Sequence, residues 1–286
     1  MNPTIQSFFH EPTFTVSYLV IDPDSRKAAI IDPVLDFDPK SGRTGHKSAD
    51  GILAAAVAGG IEIVWILETH VHADHLSAAA YLKEKTGART GIGAAVSEVQ
   101  RHFKPVFNAI DLEPDGRQFD RLFADGDRVP IGSLEAQVMH TPGHTPACIS
   151  YLAGDAVIVG DTLFMPDYGT ARCDFPGGSA RQLYRSIRRL LALPPATRIF
   201  LCHDYKAPGR DHFVWETTVA EQRAKNTHIH DGIDEAAFVA MRESRDKTLD
   251  MPALIIPSIQ VNMRAGQMPA PDSNGTVYLR LPLNRL

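Results

Sequence analysis

The sequence lacks several features that would each point to a class of protein. Its three cysteines, Cys148, Cys173 and Cys202, are odd in number and have no CxxC spacing, so they predict no disulfide framework and fit a reducing compartment. No apolar run approaches the roughly 20 residues that cross a bilayer. The first residues also show no basic start followed by an apolar stretch. We therefore expect a cytoplasmic protein without a membrane partner.

An excess of positive charge is missing as well. The 286 residues carry 29 Lys and Arg against 34 Asp and Glu, a formal net charge of -5, and the basic residues form no run. This charge argues against a nucleic-acid or anionic-membrane partner. An acidic substrate would therefore need cations placed locally at its binding site.

Short apolar runs typical of strands alternate with amphipathic runs typical of helices, which predicts an α/β fold. The predicted strands are FTVSYLVID, KAAIIDP, AQVMH, CISYLAG, AVIVG, RIFLC and, near the C-terminus, TVYLRL. The predicted helices are SADGILAAAVAGG, ARQLYRSIRRLLAL, WETTVAEQRAK and IDEAAFVAMRESRDKT. The polar stretch DFDPKSGRTGHK is predicted to be a loop.

The character of the sequence changes after about residue 210, where charge-rich, helix-forming segments take over. We predict one domain over residues 1–286, in which the residues from about 211 form a C-terminal appendage. A separate small domain is the alternative.

Four predicted strands are each followed by a side chain that can bind a metal. IEIVWILET leads to His70, LEAQVMHTPG to His144, AVIVG to Asp161 and RIFLC to His203. The first of these also opens an HxHxDH motif that adds His72, Asp74 and His75. Because ligand crevices form at strand ends in α/β sheets, convergence on one metal site is the economical interpretation.

The stretches THVHADH, TPGHTP, VGDTLF and LCHDY occur in that order. They resemble the motifs of the metallo-β-lactamase fold, a four-layer αββα sandwich with its metals at one edge of two packed sheets. The resemblance implies one metal site at His70, His72 and His144, a second at Asp74, His75 and His203, and Asp161 as a bridge between them.

Further stretches resemble the persulfide dioxygenases of this superfamily: ETHVHADH, DPVLDFDPKSGRT, DYGTARCDFPGG, HDYKAPGR and VNMRAG. The insertion around residues 36–43 and the letters ARCD place the resemblance closer to bacterial members than to the mitochondrial one. It implies one Fe(II) per chain, held by His70, His144 and Asp161, and oxidation of glutathione persulfide by O₂ and water to sulfite and glutathione. Two imidazoles and one carboxylate leave iron positions open for substrate and O₂.

The same resemblance leaves two interpretations of His72, Asp74, His75 and His203: hydrogen-bonding residues around the single metal, or ligands of a second metal. It also suggests a substrate-binding rim of Arg172, Tyr205, Lys206, Arg210 and Arg264, with Arg172 as the first candidate because it follows Asp161 closely. The cysteines are interpreted as packing residues, with a persulfide relay as the alternative.

The main alternative function is that of a glyoxalase II-like hydrolase, in which two metals activate a hydroxide that cleaves a glutathione thioester. Against it, the segment MPALIIPSIQVNMRAGQMPAP is expected to be extended where that hydrolase has a helical domain. A non-catalytic metal protein or electron carrier is a third class, but no flavin-binding segment follows. A homodimer and a rhodanese-like sulfur-transfer partner are further expectations.

Overall fold

The computed structural model describes residues 1–285 as a strand-rich chain with seven α-helices. The strands are Thr4–His10 (β1), Thr15–Ile21 (β2), Lys27–Ile31 (β3), Val34–Asp38 (β4), Arg43–Gly45 (β5), Glu62–Leu67 (β6), Leu76–Ser77 (β7), Arg89–Gly93 (β8), Arg121–Phe123 (β9), Arg128–Ile131 (β10), Leu134–His140 (β11), Ile149–Ala153 (β12), Ala156–Ile158 (β13), Arg198–Phe200 (β14) and Glu216–Thr218 (β15). The helices are Lys47–Gly59 (α1), Ala79–Thr86 (α2), Val96–Val106 (α3), Ala180–Leu190 (α4), Val219–Lys225 (α5), Glu235–Asp246 (α6) and Ile255–Asn262 (α7). Within these residues no helix combines the length and apolar character needed to cross a membrane.

Two six-stranded sheets pack face to face, with helices on their outer faces. One sheet has the order β1-β2-β3-β6-β8-β9 and the other β10-β11-β12-β13-β14-β15. Helices α1 and α2 pack on the first sheet, and α4 and α6 pack on the second. The four layers form the predicted αββα sandwich, so the predicted fold is confirmed.

The central strands are buried on both faces, which explains why their sequences are nearly continuous apolar runs. In β2, Val16, Tyr18 and Val20 join the core between the sheets. Leu19 and Ile21 face the opposite way, into the core beneath α1 and α2. Because successive side chains of a strand alternate between faces, such a strand needs apolar residues at every position.

Two local predictions in the middle of the chain are wrong. The stretch predicted to be a loop contains the β4–β5 hairpin, whose turn is stabilised where Asp38 accepts hydrogen bonds from Lys40 N and Ser41 Oγ. WETTVAEQRAK is not helical throughout, because Thr217 pairs with Ile199 in the second sheet. Thr218 then accepts a hydrogen bond from Glu221 N and begins helix α5.

Two predictions for the C-terminal part are also wrong. The segment expected to be extended contains helix α7, whose Pro257 lies in the first turn, where backbone N–H groups have no partner inside a helix. TVYLRL forms no strand within residues 1–285. The side-chain amide of Gln260 bonds both the N–H and the carbonyl of Arg280, so local side-chain bonds replace a ladder.

Tyr18 tests the contact between the two sheets. Its buried hydroxyl donates a hydrogen bond of 2.5 Å to the carbonyl of Leu201, across the interface from β2 to the end of β14. We expect Tyr18→Phe to lower the free energy of unfolding by about 1 to 3 kcal/mol, because the carbonyl stays buried without its donor. Urea unfolding measures this value. Tyr278→Phe is the matched control, since Tyr278 is 50% exposed. Equal free energies of unfolding for Tyr18→Phe and the wild type would contradict the expectation.

Candidate metal centre

Five histidines and two aspartates meet at one edge of the two large sheets. They stand in the segments that follow β6, β11, β13 and β14, as the sequence predicts. The structure places them in two groups, in each of which the ligand atoms lie within 4.8 Å of one another: His70, His144 and Asp161, and His72, Asp74, His75 and His203. The strand ends therefore bring all seven side chains to one place.

The first group presents bare ring nitrogens to Asp161. His144 donates from Nδ1 to the carbonyl of Arg172 at 2.8 Å. His70 Nδ1 lies 3.0 Å from Thr69 Oγ1 and donates to it, because that hydroxyl itself donates to Asp32. In a neutral imidazole the second nitrogen is then an acceptor, so the Nε2 lone pairs of both rings face inward.

The spacing of the first group fits one metal ion. Asp161 Oδ2 lies 3.8 Å from His70 Nε2 and 3.7 Å from His144 Nε2. Atoms that bind a metal at about 2.0 to 2.2 Å stand about 3 to 3.5 Å apart, so a small contraction brings these three onto one ion. His70 Nε2 is buried and lacks a hydrogen-bond partner within residues 1–285. A metal would satisfy it.

Gly160 explains how Asp161 reaches this position. It begins the short turn Gly160–Thr162 directly after β13 and has a φ of 54°. A Cβ at this position would stand 2.5 Å from Thr69 Oγ1, in the segment that carries His70. Only glycine allows the two ligand-bearing segments to approach this closely.

The second group is more strongly charged. His203 donates from Nδ1 to the carbonyl of Phe14 at 3.1 Å. Its Nε2 lies 3.2 Å from Asp74 Oδ2 and 3.3 Å from Asp161 Oδ1. A lone pair there would face two carboxylates, so this nitrogen needs either a proton or a metal ion between it and the oxygens.

His72 and His75 complete the second group. His72 Nε2 donates to Asp32 Oδ1 at 2.9 Å, and His75 Nδ1 lies 3.2 Å from Asp74 Oδ2. The other nitrogen of each ring is buried and has no hydrogen-bond partner among the described residues. The donor set of the second group therefore also fits a metal.

Electrostatics divides the histidines into two kinds. Burial, together with the rings of His72 and His144, holds the pKa of His70 well below its usual value, so this ring stays neutral and ready to bind metal. Burial also lowers the pKa of His75, to about 4. Burial also tends to lower the pKa of His72, but the carboxylate of Asp32 outweighs it and raises that pKa well above its usual value. In the same way, the carboxylates of Asp161 and Asp74 raise the pKa of His203 well above its usual value.

Asp32 supports the segment that carries the HxHxDH motif. Its carboxylate is 1% exposed and accepts from Thr69 N at 2.7 Å, Thr69 Oγ1 at 2.8 Å and His72 Nε2 at 2.9 Å. Burial raises its pKa, but His72 and the two Thr69 donors outweigh burial and the net pKa is lowered. One ionised carboxylate therefore orients both His72 and, through Thr69, His70.

Asn262 holds the same segment from the C-terminal side. Its Nδ2 donates to the carbonyls of His72 at 2.9 Å and His75 at 2.7 Å, and its Oδ1 accepts from Ser77 N at 2.8 Å. Asn262 is the last residue of α7 and is buried. Helix α7 thereby holds the segment that carries the HxHxDH motif.

A cavity of about 410 Å³ opens onto this centre. Its wall includes His144, Asp161 and Asp74, and most of the rest is apolar or aromatic, such as Phe14 and Phe164. Its volume lies within the range of small-molecule sites, about 300 to 1,000 Å³. The arrangement can hold a metal at the base of a substrate-sized, largely apolar pocket.

Two residues of the predicted rim line this cavity. Tyr205 stacks on His203 with ring centroids 5.5 Å apart, and Tyr168 lies beside it. Arg172 also lies in the wall, but its guanidinium binds both carboxylate oxygens of Asp174, at 2.5 and 2.6 Å, and the carbonyl of Asp250 at 2.6 Å. The charge of Arg172 is therefore already paired within the protein.

The other three predicted cations do not line the cavity, and each has a partner elsewhere. Lys206 lies 4.2 Å from the centroid of the Phe213 ring. Arg210 binds the carboxylates of Asp204 and Asp167. Arg264 pairs with Asp111 at 2.8 Å and lines a separate cavity of about 210 Å³. The expectation that all four cations surround the metal edge is corrected accordingly.

The three cysteines are free and buried. Burial raises the pKa of each thiol, that of Cys148 to about 12. Because the thiolate is the reactive form, this environment favours the packing interpretation over a persulfide relay.

Four residues that matter to this region were absent from the predicted set: Asp32, Asn262, Arg242 and Arg245. Asn262 lies in VNMRAG, one of the stretches that carry the resemblance, but the charged Arg264 is the residue of that stretch that suggests substrate binding. Asp32 sits in the apolar run KAAIIDP and looks like an ordinary turn residue there. The two arginines lie on α6, and no local pattern relates that helix to the metal centre.

The model of the metallo-β-lactamase superfamily matches residues 10–203. The chain belongs to this superfamily. The match begins at His10, the last residue of β1, and ends at His203, so it includes all seven clustered side chains.

Relatives within the metallo-β-lactamase superfamily carry different names. A probable metallo-hydrolase of Burkholderia pseudomallei is 54% identical over 99% of this chain and its own whole length. The glyoxylase B2 of Dictyostelium discoideum is 48% identical over 99% of this chain and 97% of its own. The mouse mitochondrial persulfide dioxygenase ETHE1 is 28% identical over 94% of this chain and 91% of its own.

Some relatives are longer proteins. The β-lactamase hydrolase-like protein of Agrobacterium fabrum is 54% identical over 99% of this chain, which spans 65% of the relative's length. Among solved structures, that of ETHE1 from Myxococcus xanthus matches with a TM-score of 0.74 and 31% identity. The match covers 92% of this chain and 100% of the other.

We expect Asp32→Asn to weaken metal binding by about 10- to 100-fold, the usual effect of losing an acceptor that orients a metal ligand. The amide nitrogen of asparagine cannot accept, so one of the donors from Thr69 and His72 loses its partner. Competition with a chelator measures the affinity. Asp36→Asn is the matched control, because Asp36 also accepts from a backbone N–H and a hydroxyl, both of Ser48, and Ser48 is not one of the seven clustered residues. Equal loss in both variants would contradict a specific role for Asp32.

Proposed function

We propose that the protein is a persulfide dioxygenase with one non-haem Fe(II), bound by His70, His144 and Asp161. In the proposed reaction, glutathione persulfide, O₂ and water yield glutathione, sulfite and two protons. The observation that carries the proposal is the triad of two imidazole nitrogens and one carboxylate at the base of a substrate-sized cavity. The similarity to ETHE1 over the full length of the Myxococcus chain supports it.

The geometry of the first group supports a metal at His70, His144 and Asp161. The Nε2 atoms of His70 and His144 both face Asp161 Oδ2, and His70 Nε2 has no hydrogen-bond partner among the described residues. His72 Nε2 is already bonded to Asp32, and in the proposal this ring orients the segment that carries His70. In this proposal His203 donates to Asp161 and Asp74 and fixes the orientation of the Asp161 carboxylate.

The remaining residues bind the substrate and limit access to it. Bound Fe(II) would supply coordination positions for the persulfide sulfur and O₂ and the electrons that activate O₂. The apolar wall around Phe14 and Phe164 would keep bulk water away from the reacting sulfur, apart from the one water molecule that the reaction consumes. The rings of Tyr168 and Tyr205 would pack against the organic part of the substrate.

Metal content tests the ligand assignment. Protein prepared without oxygen should contain close to one iron per chain, and His70→Ala, His144→Ala and Asp161→Ala should each lose nearly all of it. His72→Ala and His203→Ala should keep most of their iron, because these rings donate hydrogen bonds in the proposal. Elemental analysis gives the values, and His102→Ala, at an exposed position on α3, serves as the control. The assignment would be overturned if the wild type contained about two metals per chain and His72→Ala lost as much metal as His70→Ala.

Substrate turnover tests the reaction. Glutathione persulfide should drive O₂ uptake with sulfite as product, and His70→Ala should abolish both. S-lactoylglutathione should be cleaved slowly or not at all. An oxygen electrode and a sulfite assay follow the first reaction, and loss of the thioester without oxygen follows the second. Rapid anaerobic thioester cleavage would favour the alternative below.

A glyoxalase II-like hydrolase with two metals is the second candidate. The bare, buried Nε2 of His75 favours it, since burial keeps that ring neutral and able to bind a second ion. The names of the Burkholderia and Dictyostelium relatives point in the same direction. A hydroxide activated between two metals would then attack the thioester.

Three wider features belong to the proposal as well: a cytoplasmic location, a homodimer, and a rhodanese-like partner that delivers sulfur.

A further inference from the structure

Three arginines line the cavity above the metal centre, and two of them are already paired with carboxylates of the protein. Arg172 binds Asp174 through two nitrogens. Arg242 is 1% exposed and binds Asp246 at 2.7 Å, and its NH1 donates to the carbonyl of Thr170 at 3.0 Å. These two guanidinium groups therefore stabilise the cavity wall and carry little uncompensated charge.

Arg245 is different. It stands in the last turn of α6, is exposed, and lines the same cavity as His144 and Asp161. Within residues 1–285 no carboxylate lies at salt-bridge distance from its guanidinium, although the neighbouring Arg242 has one. Among the cavity arginines it thus has the unpaired positive charge.

An unpaired guanidinium in this place has a specific consequence. The chain is net negative, with a formal charge of -5, so it does not attract an anion by its overall field. Most of the cavity wall is apolar, and Arg245 offers an anion bound there a charge-assisted hydrogen bond. Arginine also presents a planar fork that matches a carboxylate.

We propose that Arg245 binds a carboxylate of an acidic thiol-derived substrate and thereby selects such substrates over neutral ones. The identity of that substrate as a glutathione derivative rests on the proposed function. The binding role itself holds equally for a glutathione persulfide and a glutathione thioester, because both carry the same carboxylates.

Binding of S-methylglutathione, which cannot react, tests the role apart from the reaction. Calorimetry on the metal-loaded protein should show that Arg245→Ala weakens binding by about tenfold or more. Arg245→Lys should recover only part of the loss, since lysine offers a point charge instead of a fork. Metal content and the free energy of unfolding should stay at wild-type values.

Two controls make the test specific. Lys247→Ala removes a positive charge one residue past the end of α6, outside the cavity lining, and should change binding by less than about twofold. S-methylglutathione diethyl ester has no free carboxylate, so its affinity should be nearly the same for Arg245→Ala and the wild type.

Three results would overturn the proposal: unchanged affinity in Arg245→Ala, an equal loss in Lys247→Ala, or an equal loss for the diester. They are distinguishable from failure of the proposed function. If the wild type takes up O₂ normally and Arg245→Ala binds S-methylglutathione as the wild type does, only the role of Arg245 is rejected. If the wild type takes up no O₂ but Arg245→Ala binds S-methylglutathione more weakly, the dioxygenase function is rejected and Arg245 remains the carboxylate-binding residue.

Discussion

The carboxylate of Asp32 is the contact on which the geometry of the metal centre depends. It is buried at the end of β3 and accepts three hydrogen bonds from the segment that begins the HxHxDH motif. A buried ionised carboxylate is costly unless its oxygens are satisfied, so Thr69 and His72 are held where they satisfy it. The positions of His70 and His72 follow from that requirement.

The same carboxylate also separates the roles of neighbouring histidines. His70 and His72 lie two residues apart and are both buried, yet their pKa values shift in opposite directions. The difference arises because His72 contacts Asp32, whereas Nδ1 of His70 faces a hydroxyl. A single motif can thus contain one ring suited to bind metal and one suited to donate a hydrogen bond.

The cations of the predicted rim follow a similar rule of local pairing. Arg172, Arg210 and Arg264 are bound to acidic side chains, and Lys206 lies over an aromatic ring. A cation that is already paired gains less from a new anion, because the existing contact must first be broken. The helix that carries Arg242 and Arg245 packs on α4, on the outer face of the second sheet, and still reaches the cavity. The C-terminal part of the chain therefore contributes to the site as well as covering the sheet.

The sequence by itself determined the αββα layers and the seven side chains that cluster at the sheet edge. Strands buried on both faces must be apolar at every position, and ligands at strand ends are visible as motifs such as THVHADH and VGDTLF. Short elements were harder to predict: Pro257 suggested an extended segment where α7 forms, and TVYLRL has the residues of a strand but no neighbouring strand to pair with. Only the tertiary structure decided which charges are free. Asp32, Asn262 and Arg245 reach the site from distant parts of the chain, and whether a charged group is paired depends on partners that the local sequence does not contain.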